Sequence, residues 1–289
     1  MRSEDSKILR SLESLSIKTK SLLKSASSSK EHDAINYSLG YLGALANSVS
    51  DKAQIFGIEP WHIVHKNAPL SAPGEYLLRI KDSAGEPMPP YPAIITFYNN
   101  NLMADIDTAL FLCALNQFKN SDEKQISFNI SSCSLQDPDF IKTALNRVEA
   151  IDFDPKKKII LEIHETTPNT QISPKVIELF KKFDISFAID DIGLSMNDVF
   201  RLSAFENMAD FVKIDRSCIQ APPENPNSLD HALSLVSTTF PDATIIAEGV
   251  QSADHAFELL QNHPEIHYVQ GLYLPKRVEF SKQWRDCSV

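Results

Sequence analysis

Glycine is scarce: eight occur in 289 residues. None builds a Gly-rich loop behind the first candidate strand, where an open doubly wound sheet would cradle a nucleotide phosphate, so that architecture is the runner-up. Cysteine is scarce as well. Cys113, Cys133, Cys218 and Cys287 are scattered with no CxxC pair. That pattern excludes a zinc knuckle or a disulfide framework and leaves buried thiols in a reducing cytoplasm as the expectation. No stretch approaches the roughly 20 apolar residues that cross a bilayer, and the N-terminus lacks the compact apolar core of a secretion signal. A cytoplasmic location without membrane association is expected. Positive charge is in deficit, with 28 Lys and Arg against 38 Asp and Glu. A chain of net charge −10 is a poor ligand for nucleic-acid polymers. It can still take a small phosphorylated ligand if a metal ion bridges the two negative partners.

What is present is ordinary for a globular protein, with 43% apolar residues. The first 30 residues differ from the rest. They hold ten serines and seven Lys or Arg against three Asp or Glu, a local charge of +4 in an acidic chain. Ile8, Leu9, Leu12, Leu15, Leu22 and Leu23 approximate a helical stripe. Such a helix can pack on its own body or on a second subunit; a membrane-surface or partner helix is the alternative. SASSSKEHD (25–33) reads as a break, and a second helix is expected over about 34–53. Residues 1–58 are read as a helical extension and 59–289 as the main domain.

From about residue 60, short β-rich apolar runs recur: IVH (63–65), YLLRI (76–80), QISFNI (125–130), KIILEI (158–163), ISFAID (185–190), DFVKID (210–215), ATIIAE (243–248) and HYVQG (267–271). From the third onward they start every 24 to 33 residues, the length of one strand–helix unit. Eight such runs, nearly continuous in apolar character, predict an α/β fold, a TIM-like (β/α)8 barrel of buried parallel strands.

Polar residues sit at the ends of these strands. Glu75 opens the second; Asn129, Glu162, Asp190 with Asp191, Lys213 with Asp215, Glu248 and Gln270 close the others. Polar groups ending apolar strands are costly to bury without a purpose, and a barrel builds its site at this rim. Glu, Asn and Asp offer oxygen ligands that suit Mg²⁺ or Mn²⁺. A bound cation would offset the repulsion within the Asp190–Asp191 pair. Neighbouring strand residues point to opposite faces, so both aspartates can face one ion only if the strand ends there; Gly193 permits that exit. The expectation is therefore that the two acids reach different ions, or one ion and one supporting partner.

EYLLR (75–79), FNISSCSL (128–135), LEIHE (161–165), IDDIG (189–193), VKID (212–215), AEGVQ (247–251) and YVQG (268–271) together resemble, in order and spacing, the EAL family of cyclic diguanylate (c-di-GMP) phosphodiesterases. The resemblance covers roughly residues 60–280 and implies a two-metal hydrolysis of cyclic di-GMP to linear pGpG with two Mg²⁺ or Mn²⁺ ions, and a homodimer. By resemblance, Glu75, Asn129, Glu162 and Asp190 look like ligands of a first metal, Asp191 recruits a second, and Asp215 supports the same network. Lys213, Glu248 and Glu165 look like the catalytic group: Lys213 orients the attacking water, Glu248 lies by the second metal, and Glu165 anchors the loop after the fifth strand. Arg79, with Leu77 and Gln270, looks like the substrate contact. A lysine beside cations is expected to have a lowered pKa. The family's DDFGTG loop reads DDIGLS here (190–195), and its QPI glutamine is replaced by Ala68. These departures carry the alternative reading, a weak or silent domain that acts as a c-di-GMP receptor or protein-interaction module. Trp61 and Trp284 are assigned no substrate contact, since most aromatics pack in cores.

Overall fold

The computed structural model describes residues 3–63, 73–151, 156–163, 172–193, 202, 205, 208–220, 227–271 and 274. The elements are, in chain order, α1 (Ser3–Ser21), α2 (Ser29–Ser50), β1 (Phe56–Pro60), β2 (His62–Ile63), β3 (Gly74–Leu78), α3 (Tyr91–Asn99), α4 (Met103–Lys119), β4 (Gln125–Ile130), α5 (Pro138–Ala150), β5 (Lys158–Ile163), α6 (Pro174–Lys181), β6 (Ile185–Ile192), β7 (Phe211–Ile214), α7 (Arg216–Ile219), α8 (Ser228–Thr239), β8 (Thr244–Ala247), α9 (Ala253–Asn262) and β9 (Ile266–Val269). One nine-stranded sheet runs β1-β3-β4-β5-β6-β7-β8-β9-β2. β4 through β9 pair in parallel, each with the next in sequence, as strand–helix units require. This is the TIM-like α/β arrangement, with two differences from an all-parallel ring. β1 is an additional strand at one end of the order, and β2 closes the other end antiparallel to β9, with Ile63 opposite Tyr268.

Local chemistry explains the boundaries. Runs such as KIILEI are rich in β-branched residues that suit a buried pleat. Asp137 caps α5 by accepting from the N–H groups of Asp139 and Phe140, with Pro138 in the first turn. Ser252 caps α9 through the N–H of His255. α2 starts inside the serine-rich stretch read from sequence as a break. Ser28 Oγ accepts from Glu31 N at 3.2 Å, while the Glu31 carboxylate accepts from Ser27 N at 2.6 Å. This reciprocal pair is a helix-start device: the serines begin the helix rather than interrupt the chain.

The chain divides into two compact units. The first comprises Met1–Gly57, Tyr76–Asp122 and Cys133–Phe153. Within it α1 buries Ile8, Leu12 and Leu15, packs against α2 and α4, and ties Lys18 to Asp105 at 2.6 Å. No helix among the described residues is long and apolar enough to cross a membrane.

The second unit, Ile58–Glu75, Glu123–Ser132 and Asp154–Val289, holds the site. Its core contains Trp61, Ile160, Ala188, Ile246 and Tyr268, with Phe211 packed against them. The Trp61 ring lies 5.8 Å from that of Phe211 and 6.0 Å from that of Tyr268. On β5 through β9, each member of this layer precedes by two positions a residue at the strand end: Ile160 and Glu162, Ala188 and Asp190, Phe211 and Lys213, Ile246 and Glu248, Tyr268 and Gln270. Side chains two apart on a strand share a face, so this layer is the floor under the polar ends. Trp61 is wholly buried in it and does not offer a stacking surface; Trp284 lies outside the described residues. Trp61→Ala should cost about 3–5 kcal/mol of stability, read by urea denaturation. A loss below about 1 kcal/mol would contradict its place as the central floor residue.

Candidate functional site

Lys213 organises the strand ends. Its side chain is 1% exposed, and Nζ lies 2.6 Å from Glu248 Oε1, 2.7 Å from Glu162 Oε2, 2.9 Å from Asp190 Oδ1 and 3.3 Å from Glu75 Oε2. Register delivers these groups. β4 and β5 set Asn129 beside Glu162, and β7 brings Lys213 opposite Ile246 on β8, two positions before Glu248. Glu75 comes from the start of β3 and is held from three sides. Asn129 Nδ2 donates to Oε1 at 2.9 Å, Gln270 Nε2 donates to Oε2 at 2.7 Å, and Lys213 is the third donor.

The acidic pair is placed by a break in the ladder. Ile189 pairs with Val212 and Ile192 pairs with Ile214, so β6 spends three steps where β7 spends two. One residue, Lys213, therefore stands opposite two, Asp190 and Asp191, which is the signature of a β-bulge. Asp191 has φ +54, in the left-handed region. This corrects the sequence expectation in two respects. The strand does not end at the aspartates but continues to Ile192, the residue before Gly193, and a left-handed turn falls within it at Asp191. As a result the acids are not directed apart. Carboxylate oxygens of Asp190, Asp191 and Glu248 lie within 4.8 Å of one another, close enough to hold one cation.

Electrostatics follow from this crowding. Burial opposes the charge on Lys213, but Asp190, Glu162, Glu75 and Glu248 outweigh it and hold the ammonium well above its usual pKa. The groups facing Nζ here are all carboxylates, and the lowering expected beside cations belongs to the cation-bound site. Glu162 is raised, first by desolvation and then by Glu75, with Lys213 opposing. Glu248 is raised from 4.5 to about 8, again chiefly by desolvation. The acceptor oxygens Asn129 Oδ1, Glu162 Oε1 and Gln270 Oε1 are buried and have no hydrogen-bond donor among the described residues. Asn129 has turned its amide nitrogen to Glu75, which leaves its oxygen to be met from the other side.

Of the other residues marked from sequence, Asp215 is engaged elsewhere. Its N–H donates to Ile192 O at 2.9 Å and its carboxylate accepts from Ser217 N at 2.8 Å, capping α7. Leu77 is half-buried and Arg79 exposed, with Nη1 donating to Leu78 O at 2.9 Å. Both belong to the first unit, whereas the carboxylate cluster belongs to the second. Glu165, Ala68, Leu194 and Ser195 lie outside the described residues. Sequence reading named AEGVQ and YVQG but gave their glycines no role. Gly249 has φ +69, and a Cβ there would meet the Cβ of Arg216 at 2.3 Å. Gln220 Nε2 donates to Gly249 O at 2.6 Å, and a Cβ on Gly271 would lie 1.9 Å from Val250 O. In so glycine-poor a chain, a glycine directly after a site acid or a site glutamine was the available signal.

A curled, mostly parallel sheet with an all-oxygen cluster around one lysine at its strand ends defines the class as a TIM-like α/β protein with a cation-competent acidic site. The EAL domain matches residues 65–277, and the chain belongs to that family. Cyclic di-GMP phosphodiesterase PdeA of Borreliella burgdorferi is 29% identical over 209 residues, 68% of this chain and 30% of that protein, so the chain matches less than a third of that relative's length. Among solved structures, the FimX EAL domain from Pseudomonas aeruginosa bound to c-di-GMP aligns with TM-score 0.65 and 21% identity, over 81% of this chain and 94% of that one. The EAL domain protein from Listeria monocytogenes EGD-e aligns at 0.60 and 19%, over 85% and 97%. At these identities the structural likeness is one of fold.

With cations removed, folded Glu248 keeps a proton that the unfolded chain releases above 4.5. The folded state therefore binds more protons between pH 4.5 and about 8, and stability falls as pH rises through that window. Glu162 acts in the same direction. Thermal midpoints measured in chelator should decline across the window and decline less in Glu248→Gln. Identical slopes for the two proteins would refute the assignment.

Proposed function

We propose that the chain hydrolyses cyclic di-GMP to linear pGpG in a reaction dependent on divalent cations. The observation that carries this reading is the ring of four carboxylates around the buried Lys213 ammonium, beside acceptor oxygens that no donor among the described residues meets. The donor set is all oxygen, which fits Mg²⁺ or Mn²⁺. Glu75, Asn129, Glu162 and Asp190 would hold one ion; Asp191, with Asp190 and Glu248, would hold a second. Charge supports two. Five carboxylates against one ammonium leave an excess of four negative charges, which two divalent ions balance.

Bound there, the ions supply Lewis-acid polarisation of a phosphoryl oxygen and make water a stronger nucleophile near neutral pH. The chain's own residues do the rest. Lys213 keeps a positive charge at the centre of the ring and presents N–H donors to the oxygens gathered there. Asn129 and Gln270 fix the Glu75 carboxylate, so its orientation is set before substrate arrives. The apolar floor beneath excludes solvent from below, which strengthens the electrostatics above it. Arg79 and Leu77 are proposed to contact the substrate, and Asp215 to hold the Lys213 strand end through its cap on α7. The relative named as a c-di-GMP phosphodiesterase supports the choice of substrate.

The test is incubation with cyclic di-GMP and Mn²⁺ or Mg²⁺, with products separated by chromatography. pGpG should form, fail to form in chelator, and drop below detection in Glu75→Ala. Tight binding of cyclic di-GMP without turnover would replace this reading by the receptor one, and absence of binding would sink both.

A further inference from the structure

We infer that Asp191 is a positioning residue for Asp190 as well as an acid in its own right: its left-handed backbone makes the bulge that sets the two carboxylates together across from Lys213. In a regular parallel ladder, successive side chains of β6 would alternate, and an acid at 190 directed to the floor side would be followed by one directed away. The register shows one residue too many on β6 between Ile189 and Ile192, and the left-handed φ falls on Asp191. After it the strand resumes. Ile192 pairs with Ile214, is fully buried, and accepts from Asp215 N at 2.9 Å. The anomaly is thus confined between two in-register pairs, and the one partner residue it spans is the lysine that holds the cluster. Left-handed backbone is disfavoured for L-residues because Cβ crowds the following carbonyl, and Asp and Asn tolerate it best after Gly. A β-branched residue at 191 is therefore expected to force β6 back toward alternation and to turn Asp190 with it.

The role in cation binding rests on the metal-dependent reading; the backbone role does not. The test compares Asp191→Asn, Asp191→Gly, Asp191→Ala and Asp191→Val in the full chain. All four lose the carboxylate, and Gly, Ala and Val also lack any side-chain donor, so differences among those three report the backbone. Two readouts are taken: thermal midpoint in chelator, and Mn²⁺ affinity by calorimetry. The Asn and Gly variants should keep one Mn²⁺ event close to the tighter event of the unsubstituted chain. Val should bind at least about tenfold more weakly, the scale on which displaced supporting groups act, and should have the lowest midpoint. If Val does not fold, Ala takes its place and must fall below Gly in both readouts. Equal behaviour of the Gly, Ala and Val variants would overturn the inference. If the unsubstituted chain binds no Mn²⁺, the metal-dependent reading fails and the chelator midpoints alone decide. Val or Ala below Gly then upholds the backbone role, and equality rejects it.

Discussion

One buried ammonium governs this site. Lys213 is buried, and a charge so placed persists only when partners replace the water it has lost. Four carboxylates from β3, β5, β6 and the end of β8 do so. The converse also holds. Those acids, drawn within reach of each other, would repel and take up protons without the lysine, and even with it Glu162 and Glu248 are raised. The cluster is over-acidic as a structural device and balanced as a cation receptacle, which is why its chemistry reads as functional rather than as a core ion pair.

The sheet makes this geometry possible by separating support from chemistry. Each strand from β5 to β9 contributes an apolar floor residue and, two positions on, a polar one. The floor is closed by Trp61, which enters from just before β2, the antiparallel strand at the end of the order. Close packing of Trp61 against Phe211 and Tyr268 fixes the heights of β7 and β9. The hydrogen bonds from Asn129 and Gln270 then lock Glu75, a residue that comes from the beginning of its strand while the others sit at or beyond the ends of theirs.

Much of this was legible in the sequence because it is local. Apolar runs at the spacing of strand–helix units placed β4 to β9 to within a few residues, and oxygen donors at their ends pointed to one rim. Register was not legible, because it is fixed by pairing across the sheet. The alternation rule assigned Asp190 and Asp191 to opposite faces, and Gly193 looked like the residue able to end the strand. The bulge at Asp191 reverses the first inference and carries the strand on to Ile192, next to Gly193, and no pattern in DFVKID reveals that one of its residues faces two across the ladder. β1 was missed because FGIEP interrupts its apolar pattern with glycine and proline. The start of α2 was misjudged because serines read as a linker unless Glu31 is recognised as the reciprocal partner of the cap. The carboxylate contacts of Lys213 and the three donors on Glu75 join positions up to 195 residues apart, a distance over which composition carries no information.

The extra residue on β6 also has an evolutionary meaning. Removing a single codon from the Asp–Asp pair would leave one aspartate between Ile189 and Ile192, opposite Lys213, with every flanking pair already in its present register. The sheet would become more regular while the rim lost an acid. One in-frame deletion would therefore take an acid out of the cluster by a route that leaves the flanking pairs of the ladder in register.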